Sequence, residues 1–449
     1  MRKPCRLCRL LWLLLVLAVL LGLAVFLGLF RTSSVAADID TPLSADALHE
    51  LRPRGRELAM AGDCFGCHSK PNGPMAAGGV AIATPFGTLH STNITPDLEH
   101  GIGRYTRADF HRALRDGVAP GNRNLYPAMP YVFTHLTTPE DADALYAYLM
   151  SIPPLAVPNE GNTGVYVLPV RGFMNFWNLL NFPKQSSGAV PDAKRLGIAS
   201  PPPAPSSQWT RGAYLVEGLA HCAACHTPMN FMMGSDFSRH FEGAIIDDMQ
   251  APDIRAATLA KQGYTLDTLT QFLRTGIAPQ GTSYAGMYTV THASTSNMQA
   301  DDVRAMAEYL LSGPDGKLMA GTAPTAPAAP LSQDDAKASD TEQLTAGRLT
   351  YASACAGCHG MTGEGIPNVA PAMRGNATLS NENPHNFIKV VLDGIPTQQF
   401  SGDQRMYAMP GFAEQLDDAD IAALTRWAMR EWGGKTPELS AEAIAKLRK

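Results

Sequence analysis

Four cysteine pairs constrain this 449-residue chain more than any other feature, and each pair has the spacing C-x-x-C. The pairs begin at Cys5, Cys64, Cys222 and Cys355. Histidine follows each of the last three pairs directly, whereas Arg9 follows the first. Two cysteines with two residues between them place both thiols on one turn, so three places in the chain present two thiols and an imidazole together.

The motif C-x-x-C-H is the attachment signature of c-type haem. Two thiols form thioethers with the vinyl groups of one haem, and the histidine becomes an axial ligand of the iron. A zinc site would need four converging ligands, a disulfide is open to any exported pair, and a thioredoxin-like motif needs a βαβ context. We therefore predict three covalent haems c, attached at Cys64 and Cys67, Cys222 and Cys225, and Cys355 and Cys358, with iron ligands His68, His226 and His359.

The surroundings of the three motifs repeat. A glycine precedes the first cysteine by 9, 10 and 8 residues (64 − 55, 222 − 212, 355 − 347). An amphipathic helix closed by a second glycine follows, as expected for a helix C-terminus. A methionine loop and a last helix with an acidic start complete each unit. We call these repeats modules one, two and three; their last helices are predicted at 141–150, 301–311 and 417–432.

The predicted fold class is all-α, with three tandem cytochrome c-like domains after an N-terminal transmembrane helix. Each domain is small for a self-sufficient apolar core, and a flat apolar haem would supply the missing part. Proline-rich and Ala/Pro-rich stretches mark the joints. The predicted boundaries are 1–36 for the anchor or signal, 45–155 for domain one, 156–205 for an apolar connection and linker, 206–315 for domain two, 316–340 for a linker, 341–435 for domain three and 436–449 for a C-terminal tail.

Methionine is the predicted second axial ligand of each iron, because a thioether opposite histidine raises the reduction potential of cytochromes c. The candidates are Met129, Met287 and Met409. They follow the motif histidines by 61, 61 and 50 residues (129 − 68, 287 − 226, 409 − 359). Met129 and Met409 precede proline, which restricts the loop. The rival methionine ligands are Met298 in module two and Met406 in module three. For modules one and two, His135 and His292 are further alternatives; the preferred interpretation places these two histidines at the surface or behind the ligands.

The N-terminus predicts export. Residues 10–30 carry no charge over 21 positions, a length that spans a bilayer core of ~30 Å. Arg2, Lys3, Arg6 and Arg9 precede them, and basic residues stay cytoplasmic. We expect a single N-terminal span in the cytoplasmic membrane and a periplasmic body; the alternative is a signal peptide cleaved near Ala36. With the N-terminal segment in the membrane, Cys5 and Cys8 would be thiols on its cytoplasmic side.

Two further features bear on partners. The formal net charge of −5 leaves no basic face, so nucleic acid is not an expected partner. Residues 165–182 are apolar and aromatic and fit none of the modules. They are either a packing strip between domains or a docking surface for a partner subunit, the membrane or a quinone.

At this point the chain resembles a known family. The likeness lies in the stretches 84–88, 91–97, 101–103, 126–131, 212–218 and 222–228. These resemble the triple-haem cytochrome c subunit of membrane-bound periplasmic dehydrogenases from acetic acid bacteria and relatives. The enzymes include quinoprotein alcohol dehydrogenase, flavin-linked gluconate dehydrogenase and molybdopterin aldehyde dehydrogenase.

The resemblance implies a non-catalytic subunit that takes electrons from a catalytic dehydrogenase subunit, with a small iron–sulfur subunit as a further partner, and delivers them to ubiquinone. The long apolar N-terminus and the variant stretch 229–233 favour the aldehyde dehydrogenase branch. Less favoured alternatives are a haem peroxidase, which needs an iron with an open position, and a cytochrome linked to a terminal oxidase.

Overall fold

The computed structural model describes residues 6–31, 41–182, 206–313, 316–319 and 338–448, together with residues 33, 35, 39 and 321. These residues form a mainly helical fold with five separate two-stranded antiparallel sheets. The predicted all-α class fits this architecture, although no strand was predicted. The chain divides into two compact units: unit 1 comprises Met1–Pro191, Glu217–His221 and Asn230–Ser235, and unit 2 comprises Asp192–Val216, Cys222–Met229 and Asp236–Lys449.

Unit 1 contains the N-terminal helix and module one. Its α-helices are α1 Arg6–Phe26, α2 Ala45–Ala61, α3 Cys64–His68, α4 Arg107–Asp116, α5 Tyr131–Thr134, α6 Pro139–Leu149 and α7 Met174–Asn181. Its strands are β1 Ala81–Thr84, β2 Gly87–His90, β3 Val118–Ala119 and β4 Arg123–Asn124, paired β1 with β2 and β3 with β4. Two 3-10 turns, Gly164–Val167 and Arg171–Phe173, lead into α7.

Helix α1 is anchored to unit 1 at its C-terminal end. The Phe26 and Phe173 rings pack edge to face at 5.2 Å, and Asn175 Nδ2 donates to the Phe26 carbonyl oxygen at 2.9 Å. Within the described part of the chain, no helix combines the length and apolar character needed to cross a bilayer. The predicted transmembrane helix is therefore not found among those residues. Cys5 lies outside the described residues, as does the side chain of Cys8.

Unit 2 contains module three and most of module two. The helices of module two are α8 Ser207–Tyr214, α9 Ala223–His226, α10 Ala256–Lys261, α11 Leu266–Thr275, α12 Ala285–Thr289 and α13 Ala300–Leu310. Those of module three are α14 Ala338–Ala354, α15 Ala356–His359, α16 Ala377–Ser380, α17 His385–Asp393, α18 Asp418–Gly433 and α19 Ala441–Leu447. The strands are β5 Ala244–Ile246, β6 Met249–Ala251, β7 Ile277–Ala278, β8 Gly281–Thr282, β9 Gln398–Gln399 and β10 Arg405–Met406.

A glycine lies at the crossing of the first and last helix of every module. A Cβ on Gly55 would lie 2.5 Å from the Ala144 carbonyl carbon of α6. The same close approach recurs in modules two and three, where the glycines are Gly212 against Ala305 and Gly347 against Ala423. The repeated glycines therefore let two helix backbones touch, which explains why they precede each motif at nearly constant distance.

Replacing Gly55 with alanine is expected to destabilise unit 1 by about 1–3 kcal/mol or more, because the added methyl group overlaps the backbone of α6. Gly161 is the matched control, since a Cβ there meets no atom within 4 Å. Denaturant unfolding of both variants measures the change; G161A should stay within about 0.5 kcal/mol of the parent. Equal stability of G55A and G161A would contradict the close crossing.

The second predicted glycine of each module also has a structural reason. Gly117 and Gly276 end α4 and α11 with φ of 67° and 74°, in the left-handed region that residues with a Cβ rarely adopt. Thr106 and Thr265 cap the opposite ends of these helices. The predicted last helices are confirmed as α6, α13 and α18. The predicted tail contains α19, whose Ile444 is buried in the core of module three.

Candidate haem-binding sites

Each C-x-x-C-H motif lies on one short helical turn. Helix α3 contains the whole first motif, while Cys222 and Cys355 are the N-cap residues of α9 and α15. In all three motifs the first cysteine is partly buried and the second is exposed. The structure presents all six as thiols rather than disulfides. Two thiols on one turn are the arrangement that the predicted double attachment requires.

The three motif histidines share one hydrogen bond. Nδ1 contacts a backbone carbonyl oxygen in each: His68 with Thr92 at 2.6 Å, His226 with Pro252 at 2.7 Å and His359 with Pro371 at 2.9 Å. An Nδ1–H that donates to a carbonyl fixes the tautomer and the ring plane. Nε2 is then the lone-pair nitrogen in every module, which is the nitrogen that an iron ligand needs.

Burial keeps these groups in their neutral forms. Burial lowers the pKa of His68, His226 and His359, opposed by the bond to the carbonyl oxygen. A neutral imidazole is the form that binds a metal. Burial likewise raises the pKa of Cys64 to about 12 and that of Cys355 to about 11.

These residues fit a covalently bound haem. Two thiols and one oriented neutral imidazole recur in the same order in three equivalent places, which is the donor set of c-type haem. Haem iron, when bound, supplies one-electron transfer by cycling between two oxidation states. The described residues contain no cluster of three or more His, Cys, Asp or Glu side chains suited to a metal ion, as the zinc alternative would require.

The predicted methionines differ in how they are held. Met129 and Met409 are partly buried, and each packs against the same apolar cluster as the first cysteine of its own motif. The backbone of Met409 exchanges two 2.9 Å hydrogen bonds with Ile395. Met287 was predicted in a loop, but it lies in the short helix α12. Modules one and three therefore bring cysteine and methionine to one cluster.

The rival ligands have distinct surroundings. Met298 is a core residue with 7% exposure. His292 is exposed, and its ring stacks on Tyr288 at 5.4 Å. His135 is buried at 2% exposure against the ring of Phe182. The predicted surface position therefore holds for His292, whereas His135 is buried.

The loops between histidine and carbonyl explain the unequal spacing of the modules. This loop spans 24 residues in module one, 26 in module two and only 12 in module three. The longer loops contain the hairpins β1–β2 and β5–β6, whereas residues 360–371 contain only an isolated bridge. The difference of 12 (24 − 12) between modules one and three accounts for the difference of 11 (61 − 50) between their histidine-to-methionine spacings.

Sequence reasoning missed these carbonyl partners. The recurring Ala-Pro pairs at 251–252 and 370–371 were a usable signal, because their prolines supply two of the three carbonyl oxygens. It also missed Asp63, which lies in the left-handed region immediately before Cys64. Its carboxyl group occupies the space beside Gly66, where a Cβ would clash with Asp63 Cγ at 2.7 Å. Burial raises the pKa of Asp63 to about 7.

The apolar segment 165–182 is partly packed and partly exposed. Trp177 is buried, and its Nε1 donates to the Met232 carbonyl oxygen at 2.8 Å within unit 1. Leu179 and Leu180 of the same helix are 66% and 73% exposed. The prediction of a packing strip therefore holds for the face of α7 that carries Trp177. The face that carries Leu179 and Leu180 is exposed apolar surface.

Comparison with known proteins defines the class. The family model "Cytochrome c" matches residues 53–153, and the model "Cytochrome C oxidase, cbb3-type, subunit III" matches residues 342–427. Cytochrome c domains with these motifs make the chain a c-type cytochrome, a protein that holds haem c covalently.

The relatives identify the family within that class. The chain is 34% identical to the cytochrome c subunit of alcohol dehydrogenase (quinone) from Gluconacetobacter polyoxogenes over 90% of this chain and 85% of the relative. It is 34% identical to the cytochrome c subunit of gluconate 2-dehydrogenase from Pantoea cypripedii, over 95% and 94%. The chain belongs to this family of cytochrome c subunits of dehydrogenases.

Another relative is much longer. A nicotinate dehydrogenase subunit from Pseudomonas putida is 37% identical over 86% of this chain, and the match spans 30% of that relative's length. The fructose dehydrogenase cytochrome subunit of Gluconobacter japonicus is 31% identical over 94% of this chain. The same kind of chain is therefore shared by proteins named for several different dehydrogenases.

Proposed function

We propose that this chain relays electrons through three haems c from the catalytic subunit of a membrane-bound periplasmic dehydrogenase to ubiquinone. The observation that carries the proposal is the threefold recurrence of a motif histidine whose Nδ1 contacts a carbonyl oxygen. Three equivalent sites of one kind suit sequential one-electron transfer. Family membership supports a catalytic dehydrogenase partner, since the relatives are subunits of such complexes.

The proposal assigns each site residue one task. The six cysteines attach the haems, and His68, His226 and His359 bind iron through Nε2. Met129, Met287 and Met409 would supply the second ligand of each iron, and a thioether ligand would raise the reduction potentials. Partial burial of Met129 and Met409 beside Cys64 and Cys355 supports two of these three assignments.

The proposed location is the periplasmic side of the cytoplasmic membrane. The basic residues before position 10 and the apolar stretch that follows support export. We propose that the mature protein is attached to this membrane, whether the N-terminal segment stays as an anchor or is cleaved as a signal. Fractionation of cells that produce the full chain, with and without residues 1–36, tests it.

The proposed electron donor is an aldehyde dehydrogenase with molybdopterin, accompanied by a small iron–sulfur subunit. The support for this donor is the variant stretch 229–233, which favours the aldehyde dehydrogenase branch and in which Phe231 is 96% exposed. Alcohol and gluconate dehydrogenases are the alternatives, and named relatives belong to both of these enzymes. The relatives therefore favour a dehydrogenase without selecting among its substrates.

The test uses the native complex. Its largest subunit is identified by mass spectrometry, and acetaldehyde, ethanol and gluconate are each added under anaerobic conditions while haem absorbance is followed. We expect one substrate to reduce the haems and a soluble ubiquinone analogue to reoxidise them. Haems that no dehydrogenase substrate reduces, or that oxidise only with peroxide, would overturn the proposal.

A terminal-oxidase component is the second candidate, because an oxidase family model matches residues 342–427. That match covers module three only, whereas the dehydrogenase subunits match 90–95% of this chain. Co-purification with haem–copper subunits would favour this candidate over the first.

A further inference from the structure

Module three contacts the methionine-bearing part of module two. The β9–β10 ribbon of module three turns at Phe400, whose ring lies 5.5 Å from Tyr288 in an edge-to-face arrangement. A Cβ on Gly276 would lie 2.7 Å from Phe400 Cδ1. Phe400 therefore contacts Gly276, which ends α11, and Tyr288, which follows Met287. These two residues bound the segment 276–288 that contains Met287.

Tyr288 is also hydrogen-bonded to the backbone of the same ribbon. Its hydroxyl group donates to the Gln399 carbonyl oxygen at 3.0 Å and accepts from the Gln399 N–H at 3.1 Å. One hydroxyl group thus satisfies both polar groups of one residue's backbone. Because Tyr288 follows Met287 directly within α12, these bonds restrict the helix that carries the methionine. We call Gln399, Phe400 and Tyr288 the ribbon clamp.

The ribbon that forms the clamp is itself held firmly. Phe400 N donates to the Gln404 carbonyl oxygen at 2.7 Å, closing the turn. Ribbon strand β10 leads to Met409, whose backbone is bonded to Ile395. Further bonds join the two modules outside the ribbon: Ala377 N to Gln280 O at 2.8 Å, Tyr284 to Thr378 at 3.2 Å, Gln250 with Asn386 at 2.7 and 2.8 Å, and Lys389 Nζ with Asp248 at 2.7 Å.

Met287 differs from the other two methionines in the residue that follows it. Met129 is followed by Pro130, and its carbonyl oxygen accepts from Tyr131 N at 2.7 Å. Met409 is followed by Pro410 and bonded to Ile395. Tyr288, and not proline, follows Met287 in α12. The helical path continues from α12 into a π-helical turn, Val290–Ser294, and a 3-10 turn, Thr295–Asn297. The clamp therefore supplies a restraint beside Met287 of the kind that proline supplies in the other modules.

We propose that the ribbon clamp of module three positions Met287 as the axial ligand of the haem in module two. The inference rests on the proposed function, because it assumes that Met287 binds iron. Tyr288 and Phe400 are positioning residues, and the reduction potential of one module depends on the integrity of the next.

The test compares variants of the full holoprotein by redox titration and by the near-infrared charge-transfer band of methionine-ligated ferric haem. M287L identifies the potential that belongs to module two. Y288F removes only the hydroxyl group, and Q399A is the matched control, since it keeps the backbone N–H and carbonyl group that Tyr288 contacts. Haem content is measured in each variant to confirm folding.

We expect Y288F to lower the same potential as M287L, by a smaller amount, and to remove up to about a third of the band, because one of three haems is affected. Amide hydrogen exchange within residues 284–290 should accelerate in Y288F but not in Q399A. F400A should act in the same direction as Y288F.

The outcomes distinguish the ribbon clamp from the ligand role of Met287. A potential that shifts in M287L but not in Y288F or F400A overturns the clamp and leaves the proposed ligand in place. Three potentials unchanged in M287L overturn the ligand assignment itself. A shift in Q399A equal to that in Y288F also counts against the clamp, since the side chain of Gln399 makes no part of it.

Discussion

Replacing Cys222 and Cys225 with alanine is expected to reduce the covalent haem content from three to two. Cys222 is the N-cap residue of α9 and Cys225 lies within that helix, so both thiols share one turn. The other motif cysteines of unit 2 belong to module three. Without thioethers, His226 alone cannot retain the haem through purification. Each single substitution should also lower the count by about one, because both cysteines serve the same haem. Haem staining and the mass of the intact chain measure the result.

The matched control is the first cysteine pair. Cys5 and Cys8 have the same spacing, but Arg9 follows them where histidine follows the others. The double variant C5A/C8A should therefore keep all three haems. Loss of a haem in this control, or three haems retained in the Cys222 and Cys225 variant, would show that the pairs have been assigned to the wrong chemistry.

Replacing Met409 with leucine is expected to lower one reduction potential while all three haems stay attached. Leucine fills nearly the same volume but has no sulfur to bind iron, and the thioether ligand is what raises the potential of a cytochrome c. Axial ligands set haem potentials over a range of about 0.8 V, so the shift should be resolved readily by titration. M129L and M287L should each act on a different haem.

Met406 provides the control for this experiment. It lies in β10, three residues before Met409, and was the rival ligand in module three. M406L should leave all three potentials unchanged. A shift in M406L and none in M409L would move the ligand to Met406, and no shift in either variant would exclude a methionine ligand in module three.

Local patterns in the sequence predicted the features that depend on neighbouring residues. The attachment turns, the glycines that end α4 and α11 and the acidic starts of the last helices are each encoded within a few positions. The glycines before each motif were recognised as a repeat, but their reason is a contact with a helix about 75 to 95 residues later, such as Gly55 with Ala144 (144 − 55 = 89).

The remaining structural features depend on contacts between residues far apart in the sequence, and hydrophobic periodicity does not predict such contacts. The hairpins β1–β2 and β5–β6 are short, and their strands lack the length at which alternation can be read. Tyr288 of α12 contacts Phe400 and Gln399, more than 100 positions later (399 − 288 = 111). The sequence pattern predicts Met287 as a haem ligand, and only the fold shows the contacts that its neighbour Tyr288 makes with module three.

The intact mass of the mature chain, produced in a host that matures c-type cytochromes, tests the central claim most directly. We predict the polypeptide mass plus three haem masses, with tryptic peptides that contain His68, His226 and His359 each carrying one haem. A polypeptide without added haem, or with haem on peptides that lack these histidines, would contradict a relay built from three equivalent attachment sites.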